Sequence, residues 1–353
     1  MNLLENKSYM KLLHRAVSQI QDWEKLQNSS IMITGATGMI GSFLIDMLMY
    51  KNQHDQLGCK LYALGRNLEK GEKRFGTYFN NPLFEFIVCN INSNEFKLNV
   101  PQVDYLFHAA SNTHPLAYSN DPIGTVTANI MGTHNLLKYA TTHGTKRFLF
   151  ASSVEIYGEN RGDIDAFNEA YCGYIDCNTL RAGYPESKRA GEALCQAYIS
   201  QEGLDIVIPR LARSYGPTML MSDTKAVSQF IKNGVAKENI ILKSEGTQLY
   251  SYTFMVDAVI GILYCLFRGQ NGVAYNIVGE GSDITLRELA KMIALHTGTK
   301  VLFGLPNEAE RAGYSKATKA IMDGARIAQL GWKPLFDIES GIALTLKILR
   351  NRK

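Results

Sequence analysis

The chain has 353 residues, 46% of them hydrophobic and 20% charged, with 37 basic against 33 acidic side chains and a formal charge of +4. This mix excludes a disordered, collagenous or coiled-coil chain, and at about 150 residues per domain the length predicts two. The mild basic excess suits a small anionic ligand and lacks the strong basic stripe of a nucleic-acid binder.

Residues 1–29 read as a helical N-terminal extension, with Met10, Leu13, Val17 and Ile20 recurring on one helical face. Met1 to Trp23 carry charges throughout and contain no apolar signal core. The longest apolar stretch, Ala258 to Phe267, falls well short of the roughly 20 residues of a membrane helix. A cytoplasmic protein with no membrane partner is expected. Six cysteines form no CxxC pair, so buried reduced thiols are expected and a metal site is not.

Strand and helix patterns then alternate. Strands are predicted at Ile31 to Ile33, Lys60 to Leu64, Glu85 to Cys89, Val103 to His108, Arg147 to Ser152 and Asp205 to Arg210. Helices are predicted at Met39 to Tyr50, Val126 to Thr142 and Tyr184 to Glu202. The alternation predicts an α/β fold, a Rossmann-type doubly wound parallel sheet over 30–215, with some later segments returning to it. Beyond Tyr215 the rhythm loosens, and helices are predicted at Lys225 to Asn233, Val256 to Phe267 and Leu286 to Thr297. Residues 216–353 are read mainly as a smaller mixed α/β substrate lobe.

Residues 34–41 read Thr-Gly-Ala-Thr-Gly-Met-Ile-Gly between a strand and a helix. In that context Gly35 permits the tight turn, Gly38 lets backbone approach a pyrophosphate, and Gly41 lets helix and strand pack closely. Gly35, Thr37, Gly38, Met39, Ile40 and Gly41 are therefore candidate contacts to a dinucleotide, whose phosphates would meet the helix N-terminus. The second strand ends Leu64-Gly65-Arg66-Asn67, without the carboxylate that would repel a 2′-phosphate. Arg66 can pair with one, which favours NADP(H) over NAD(H).

Tyr184 and Lys188 are spaced i,i+4 and share a helical face. Alone, such a pair is an ordinary solvated face. Downstream of a dinucleotide turn it is an acid/base unit, in which the ammonium favours tyrosinate and lowers its pKa. Ser152 and Ser153 end a strand, where ligands of open α/β sheets bind.

These stretches, with Phe107 to Ser111, Asn129 to Thr133, Ser153 to Gly158, Arg210 to Pro217 and Tyr252 to Asp257, resemble the extended short-chain dehydrogenase/reductases. The likeness is to their nucleotide-sugar epimerase/dehydratase/decarboxylase group and spans roughly residues 30–345. The resemblance implies Tyr184 as catalytic acid/base, Lys188 on the nicotinamide ribose, and Ser153 as the substrate-orienting hydroxyl, with Ser152 as fallback. It implies Asn90 and Ile91 against adenine, Ala109, Ala110, Ser111 and Asn129 along the cofactor, and Leu211 near the nicotinamide. It implies substrate contacts at Arg213, Tyr250 and Arg311, a nucleotide-diphosphate-linked sugar or polyol as substrate, and a homodimer through the helices containing Val126 to Thr142 and Tyr184 to Glu202.

Locally, Thr179 to Glu192 is most similar to UDP-glucuronate decarboxylases, and Glu155 matches a functional glutamate they share with 4,6-dehydratases, which the resemblance implies as a further catalytic residue. Val154 stands where dehydratases carry an aspartate, removing a proton donor for elimination of water. Arg213 stands where those families carry an asparagine near the substrate diphosphate, and Tyr250 where many carry a phosphate-binding arginine, so the resemblance implies a cation moved within the diphosphate site. On these departures and Arg66, the sequence favours net NADPH-dependent reduction of a nucleotide-linked sugar or polyol. The alternative is a 4-epimerase or decarboxylase that recycles its cofactor internally. A non-catalytic NADP-binding protein is disfavoured by the intact Ser153, Tyr184 and Lys188.

Overall fold

The computed structural model describes residues 2–113, 119–306, 308 and 317–351. In chain order the strands are β1 (Ser30–Thr34), β2 (Lys60–Gly65), β3 (Phe84–Val88), β4 (Tyr105–His108), β5 (Arg147–Phe150), β6 (Ser152–Ser153) and β7 (Ile206–Leu211). They continue as β8 (Arg213–Tyr215), β9 (Ile240–Leu242), β10 (Leu249–Phe254), β11 (Ala274–Ile277), β12 (Asp283–Thr285), β13 (Val301–Phe303) and β14 (Lys319–Ala320). Among the described residues the main sheet runs β11-β7-β5-β4-β1-β2-β3, with β6 beside β7 and every pairing parallel. The Rossmann-type doubly wound sheet is thus present. Its inner strands are buried on both faces, which is why Ile31, Met32 and Ile33, or Ile206, Val207 and Ile208, form continuous apolar runs. The strand order reverses between β1 and β4, and the crevice at their carboxyl ends is where ligands bind such sheets.

Among the described residues the longer helices are α1 (Lys7–Val17), α2 (Met39–Asp55), α3 (Leu68–Phe75), α4 (Pro122–Thr127 continuing through Ala128–Gly132 and Thr133–Thr142), α5 (Gly183–Glu202), α6 (Ala226–Ala236), α7 (Met255–Arg268), α8 (Leu286–Thr297) and α9 (Ile338–Arg350). None of the described helices is long and apolar enough to cross a membrane. Helix α1 is N-capped by Asn6, whose Oδ1 accepts from the backbone of Ser8 and Tyr9. It buries Tyr9, Leu12, Leu13, Ala16 and Val17, with Met10 only half-buried, because it packs against α2, α7 and α9 at once.

Other expectations are also adjusted. The fifth strand breaks at Ala151, whose carbonyl accepts from Lys188 rather than from a strand. β11, which has no counterpart among the predicted elements, pairs with β7 and extends the main sheet. A second sheet joins β12, β10, β14 and β8, and β9 pairs with β13. Cys59, Cys195 and Cys265 are buried, but Cys172 and Cys177 are exposed on the irregular loop before α5.

Candidate active site

The crevice is floored by the turn after β1. Gly35 has φ +68°, and a Cβ there would lie 2.7 Å from the Ala109 carbonyl oxygen. A Cβ on Gly41 would lie 2.6 Å from the Gly35 oxygen, so both positions require glycine for space. Gly38 is the N-cap of α2 and offers no side-chain acceptor, leaving the first-turn N–H groups of that helix free for an anion. Thr34 Oγ1 accepts from the backbone of Ala109 (3.2 Å) and Ala110 (3.1 Å), tying the loops after β1 and β4 together. Beneath them His108 is fully buried between Thr34 Oγ1 (2.8 Å) and Thr133 Oγ1 (3.1 Å), and burial holds its imidazole well below its usual pKa. A neutral ring there bridges two hydroxyls without burying a charge.

At the far end of the crevice Arg66 is exposed at the end of β2 and makes no ion pair among the described residues. Asn90 is exposed and Ile91 buried just past β3. Asn129 lies in the wide turn of α4, its Nδ2 donating to Ser187 Oγ at 2.9 Å. Its Oδ1 is buried without a hydrogen-bond partner. The glycine cradle, the uncapped helix start and this open acceptor together fit a dinucleotide.

Tyr184 and Lys188 rise from the first turns of α5, where the wide helix face meets β5 and β6. Tyr184 is 6% exposed and its hydroxyl is hydrogen-bonded to Ser153. Ser152, by contrast, faces inward with its Oγ buried and unpartnered, so Ser153 is the hydroxyl at the tyrosine. Register pairs Ser153 with Leu211 across β6 and β7, bringing that residue to the same spot.

Burial pushes the Tyr184 phenol up to about 12, although the Ser153 bond pulls it down; Glu155 adds to the rise and Arg181 opposes it. Lys188 is not among these influences, contrary to the expectation from i,i+4 spacing. The side chain reaches past the tyrosine: its ammonium donates to the Ala151 carbonyl at 2.7 Å and lies 4.7 Å from the centre of the Phe150 ring. Burial lowers that ammonium to about 8.

Glu155 follows Ser153 by two residues, and its backbone N–H donates to Ser153 Oγ at 3.3 Å. Its carboxylate meets Arg181 at 2.6 Å and Arg213 at 3.5 Å. Burial pushes this carboxyl up, but the two guanidiniums outweigh it and hold it below the usual range. Arg213 stacks 3.6 Å from the centre of the Tyr250 ring, while the Tyr250 hydroxyl donates to the Ala317 carbonyl at 2.7 Å. Tyr250 thus contributes a ring face, not a hydroxyl, to this pocket. Arg311 lies outside the described residues.

The structure therefore gathers Ser153, Glu155, Tyr184, Lys188, Leu211, Arg213 and Tyr250 at one end of the crevice and the glycine turn at its centre. Sequence reasoning missed Arg181 and the Thr34–His108–Thr133 chain. The signal for Arg181 was its place three residues before Tyr184, inside the stretch already resembling decarboxylases.

The NAD dependent epimerase/dehydratase family matches residues 31–278. UDP-glucuronic acid decarboxylase 3 of Arabidopsis thaliana is 30% identical over 333 residues, covering 92% of this chain and 90% of the relative. UDP-glucuronic acid decarboxylase 1 of Xenopus tropicalis is 29% identical over 320 residues, covering 91% of this chain and 72% of the relative. Among solved structures, UDP-glucuronic acid 4-epimerase from Bacillus cereus, in complex with UDP-glucuronic acid and NAD, superposes with a TM-score of 0.76 at 21% identity, covering 92% of this chain and 100% of the other.

Proposed function

The chain belongs to the NAD dependent epimerase/dehydratase family and is an extended short-chain dehydrogenase/reductase of the nucleotide-sugar group, and from that premise we propose that it decarboxylates a nucleotide-linked uronic acid, leaving no net change in its cofactor. The observation that carries this reading is the buried Ser153–Tyr184 pair with Lys188 beside it, in a chain similar to UDP-glucuronic acid decarboxylases over 92% of its length. Net NADPH-dependent reduction, favoured on the sequence, gives way. Arg66 speaks to the choice of cofactor and not to the direction of chemistry, and Val154 argues only against dehydration.

In this reading the Gly35 to Gly41 turn and the start of α2 hold the pyrophosphate. Arg66, Asn90 and Ile91 take the adenosine end, and Ala109 to Ser111, Asn129, Leu211 and Lys188 take the rest. A nicotinamide dinucleotide held there supplies a hydride acceptor that can also return the hydride. Tyr184 Oη exchanges the proton of the sugar hydroxyl, and Ser153 Oγ, bonded to it, orients that hydroxyl. A carbonyl beside the carboxylate-bearing carbon is the electron sink that loss of carbon dioxide needs. Burial of Tyr184 and Lys188, at 6% and 2% exposure, limits water at the reacting atoms.

The test is incubation with UDP-glucuronic acid and NAD+ or NADP+, following products by mass and the reduced-nicotinamide absorbance. The expected result is a nucleotide pentose and carbon dioxide with no lasting absorbance change. A C4-inverted uronate would point to epimerisation, and stoichiometric consumption of NADPH with a nucleotide sugar would restore net reduction.

NADP(H) over NAD(H) is kept as the finer reading, supported by exposed Arg66 and the absence of a carboxylate at 65–67. Equal dissociation constants for the two in the wild type, or no loss of NADP affinity in Arg66→Ala, would reject it. A homodimer across α4 and α5 is kept likewise, supported by Ile123, which α4 leaves 77% exposed. Sedimentation as a monomer would reject that.

A further inference from the structure

The hydroxyls on either side of His108 fix which of its ring nitrogens carries the proton. Thr133 Oγ1 lies 2.6 Å from the Asn129 carbonyl oxygen, which only accepts, so the Thr133 proton goes there. The Thr133 oxygen is left to accept from His108 Nε2–H at 3.1 Å. Thr34 requires the same assignment. Its Oγ1 accepts from the backbone N–H groups of Ala109 and Ala110, which fills both lone pairs. Its own O–H is left to donate, and His108 Nδ1 stands 2.8 Å away. The other tautomer and the imidazolium would both point an N–H at an oxygen with no lone pair to spare. Burial and the nearby Lys188 ammonium also disfavour a second proton on the ring.

Donation therefore runs one way, from the loop after β4 through Thr34, His108 and Thr133 to Asn129 in the wide turn of α4. Asn129 carries it on to α5. Its Nδ2 donates to Ser187 Oγ at 2.9 Å, and Ser187 Oγ donates to the Tyr184 carbonyl at 2.9 Å. Thr34 immediately precedes Gly35, and Ser187 immediately precedes Lys188. Thr34, His108, Thr133, Asn129 and Ser187 are each at most 2% exposed, so water has little access to replace a link. Buried hydrogen bonds aligned this way strengthen one another, and a broken link leaves a donor or acceptor unsatisfied. The row ties the floor of the dinucleotide crevice to the first turn of the helix that bears Tyr184.

We propose that His108, held as the Nε2–H tautomer, is a positioning residue: through Thr133, Asn129 and Ser187 it keeps Tyr184 and Lys188 in register with a dinucleotide at the glycine turn. A hydride that leaves the sugar and later returns crosses the same gap twice, so the register must persist between the two transfers. That last requirement rests on the decarboxylase reading above; the tautomer does not.

The tautomer is tested by nitrogen NMR of ligand-free protein carrying isotope-labelled histidine, the His108 signals being identified by their change in His108→Gln or Thr133→Ser. Nε2 protonated and Nδ1 bare at neutral pH is the expected result. A proton on Nδ1, alone or together with Nε2, overturns the proposal. The positioning role is tested one link away from the ring. Thr133→Val keeps the side-chain shape and removes the hydroxyl, and Thr133→Ser keeps the hydroxyl. With UDP-glucuronic acid and NAD or NADP, kcat of Thr133→Val should fall by about tenfold to a hundredfold, the cost of about an ångström of misplacement. KM for the sugar and the cofactor dissociation constant should stay near wild type, and Thr133→Ser should recover most of the rate. A lower melting temperature with kcat unchanged would mark a structural tie only and overturn the proposal, as would equal losses of kcat and cofactor affinity. If Thr133→Val slows a turnover that yields a C4-inverted uronate and no carbon dioxide, the proposal stands and the decarboxylase reading falls. If wild type and Thr133→Val release carbon dioxide equally fast, the reverse holds.

Discussion

Tyr184 and Lys188 illustrate how burial sets the chemistry of single residues here. Tyr184 is buried and its phenol stays protonated across the physiological range, so it is poised to give a proton or exchange one with a bound hydroxyl. Tyr184→Phe keeps the ring and its packing. Turnover should fall by about 10²- to 10⁴-fold while cofactor affinity, measured by fluorescence titration, is unchanged. Lys188 carries the opposite burden, since burial lowers its ammonium from 10.5 to about 8. Between those values the unfolded chain binds more protons, so the Lys188 contribution to stability rises as pH climbs from about 8 to about 10.5. Below that window the charged form costs on the order of 3 kcal/mol in the folded protein. Denaturation of the ligand-free protein should therefore show Lys188→Met gaining on the wild type at pH 7 and losing that advantage by about pH 10.5. A stability difference independent of pH would mean that Lys188 keeps its ordinary ionisation.

At the scale of elements, the turn into α2 combines two demands that only glycine meets. Gly35 needs a left-handed backbone, φ +68°, and also an empty Cβ position against the Ala109 carbonyl. Gly35→Ala should destabilise the fold by about 1–3 kcal/mol from the backbone alone and weaken dinucleotide binding further. Thermal melting with and without NAD or NADP separates the two, and a cofactor-induced Tm shift equal to wild type would show the loops after β1 and β4 can part without harm. Helix α4 makes a related point. Its residues were legible as one helix from their 3.6-residue period, yet the wide turn at Ala128–Gly132 was not. That turn holds Asn129 where its Nδ2 reaches Ser187 on α5, a contact across 58 residues of chain. Sequence periodicity reports which face is apolar and is blind to one inserted residue in a turn.

At the scale of the whole molecule, the N-terminal segment is bound into the fold through a buried polar centre. Asp46 on α2 is fully buried and accepts from Tyr9 of α1 at 2.5 Å, from Tyr78 at 3.1 Å, and from Arg74 of α3. Four segments therefore converge on one carboxylate. Asp46→Ala leaves the Arg74 guanidinium buried without its anion, and stability in chemical denaturation should fall by about 3–5 kcal/mol. A loss near zero would mean that the arginine escapes to solvent. Asn6 adds a second tie, donating from its Nδ2 to the Ile348 carbonyl in α9 at 3.2 Å, so the two ends of the described chain meet.

The sequence by itself determined the parallel sheet, the glycine turn, the Tyr184–Lys188 face and the kinship carried by those motifs. Each is local: a short apolar run, a fixed glycine spacing or an i,i+4 pair needs no distant partner to be recognised. What the tertiary structure decided is everything that depends on residues meeting across the chain. It put Ser153, the hydroxyl the motif already favoured, against Tyr184 and buried the fallback Ser152 without a partner. It turned Lys188 toward Ala151, because β5 breaks there and leaves a carbonyl to satisfy. It set Arg181 and Arg213, 32 positions apart in sequence, on either side of Glu155. Charge balance in a buried pocket is a sum over neighbours in space, and a linear sequence does not list those neighbours.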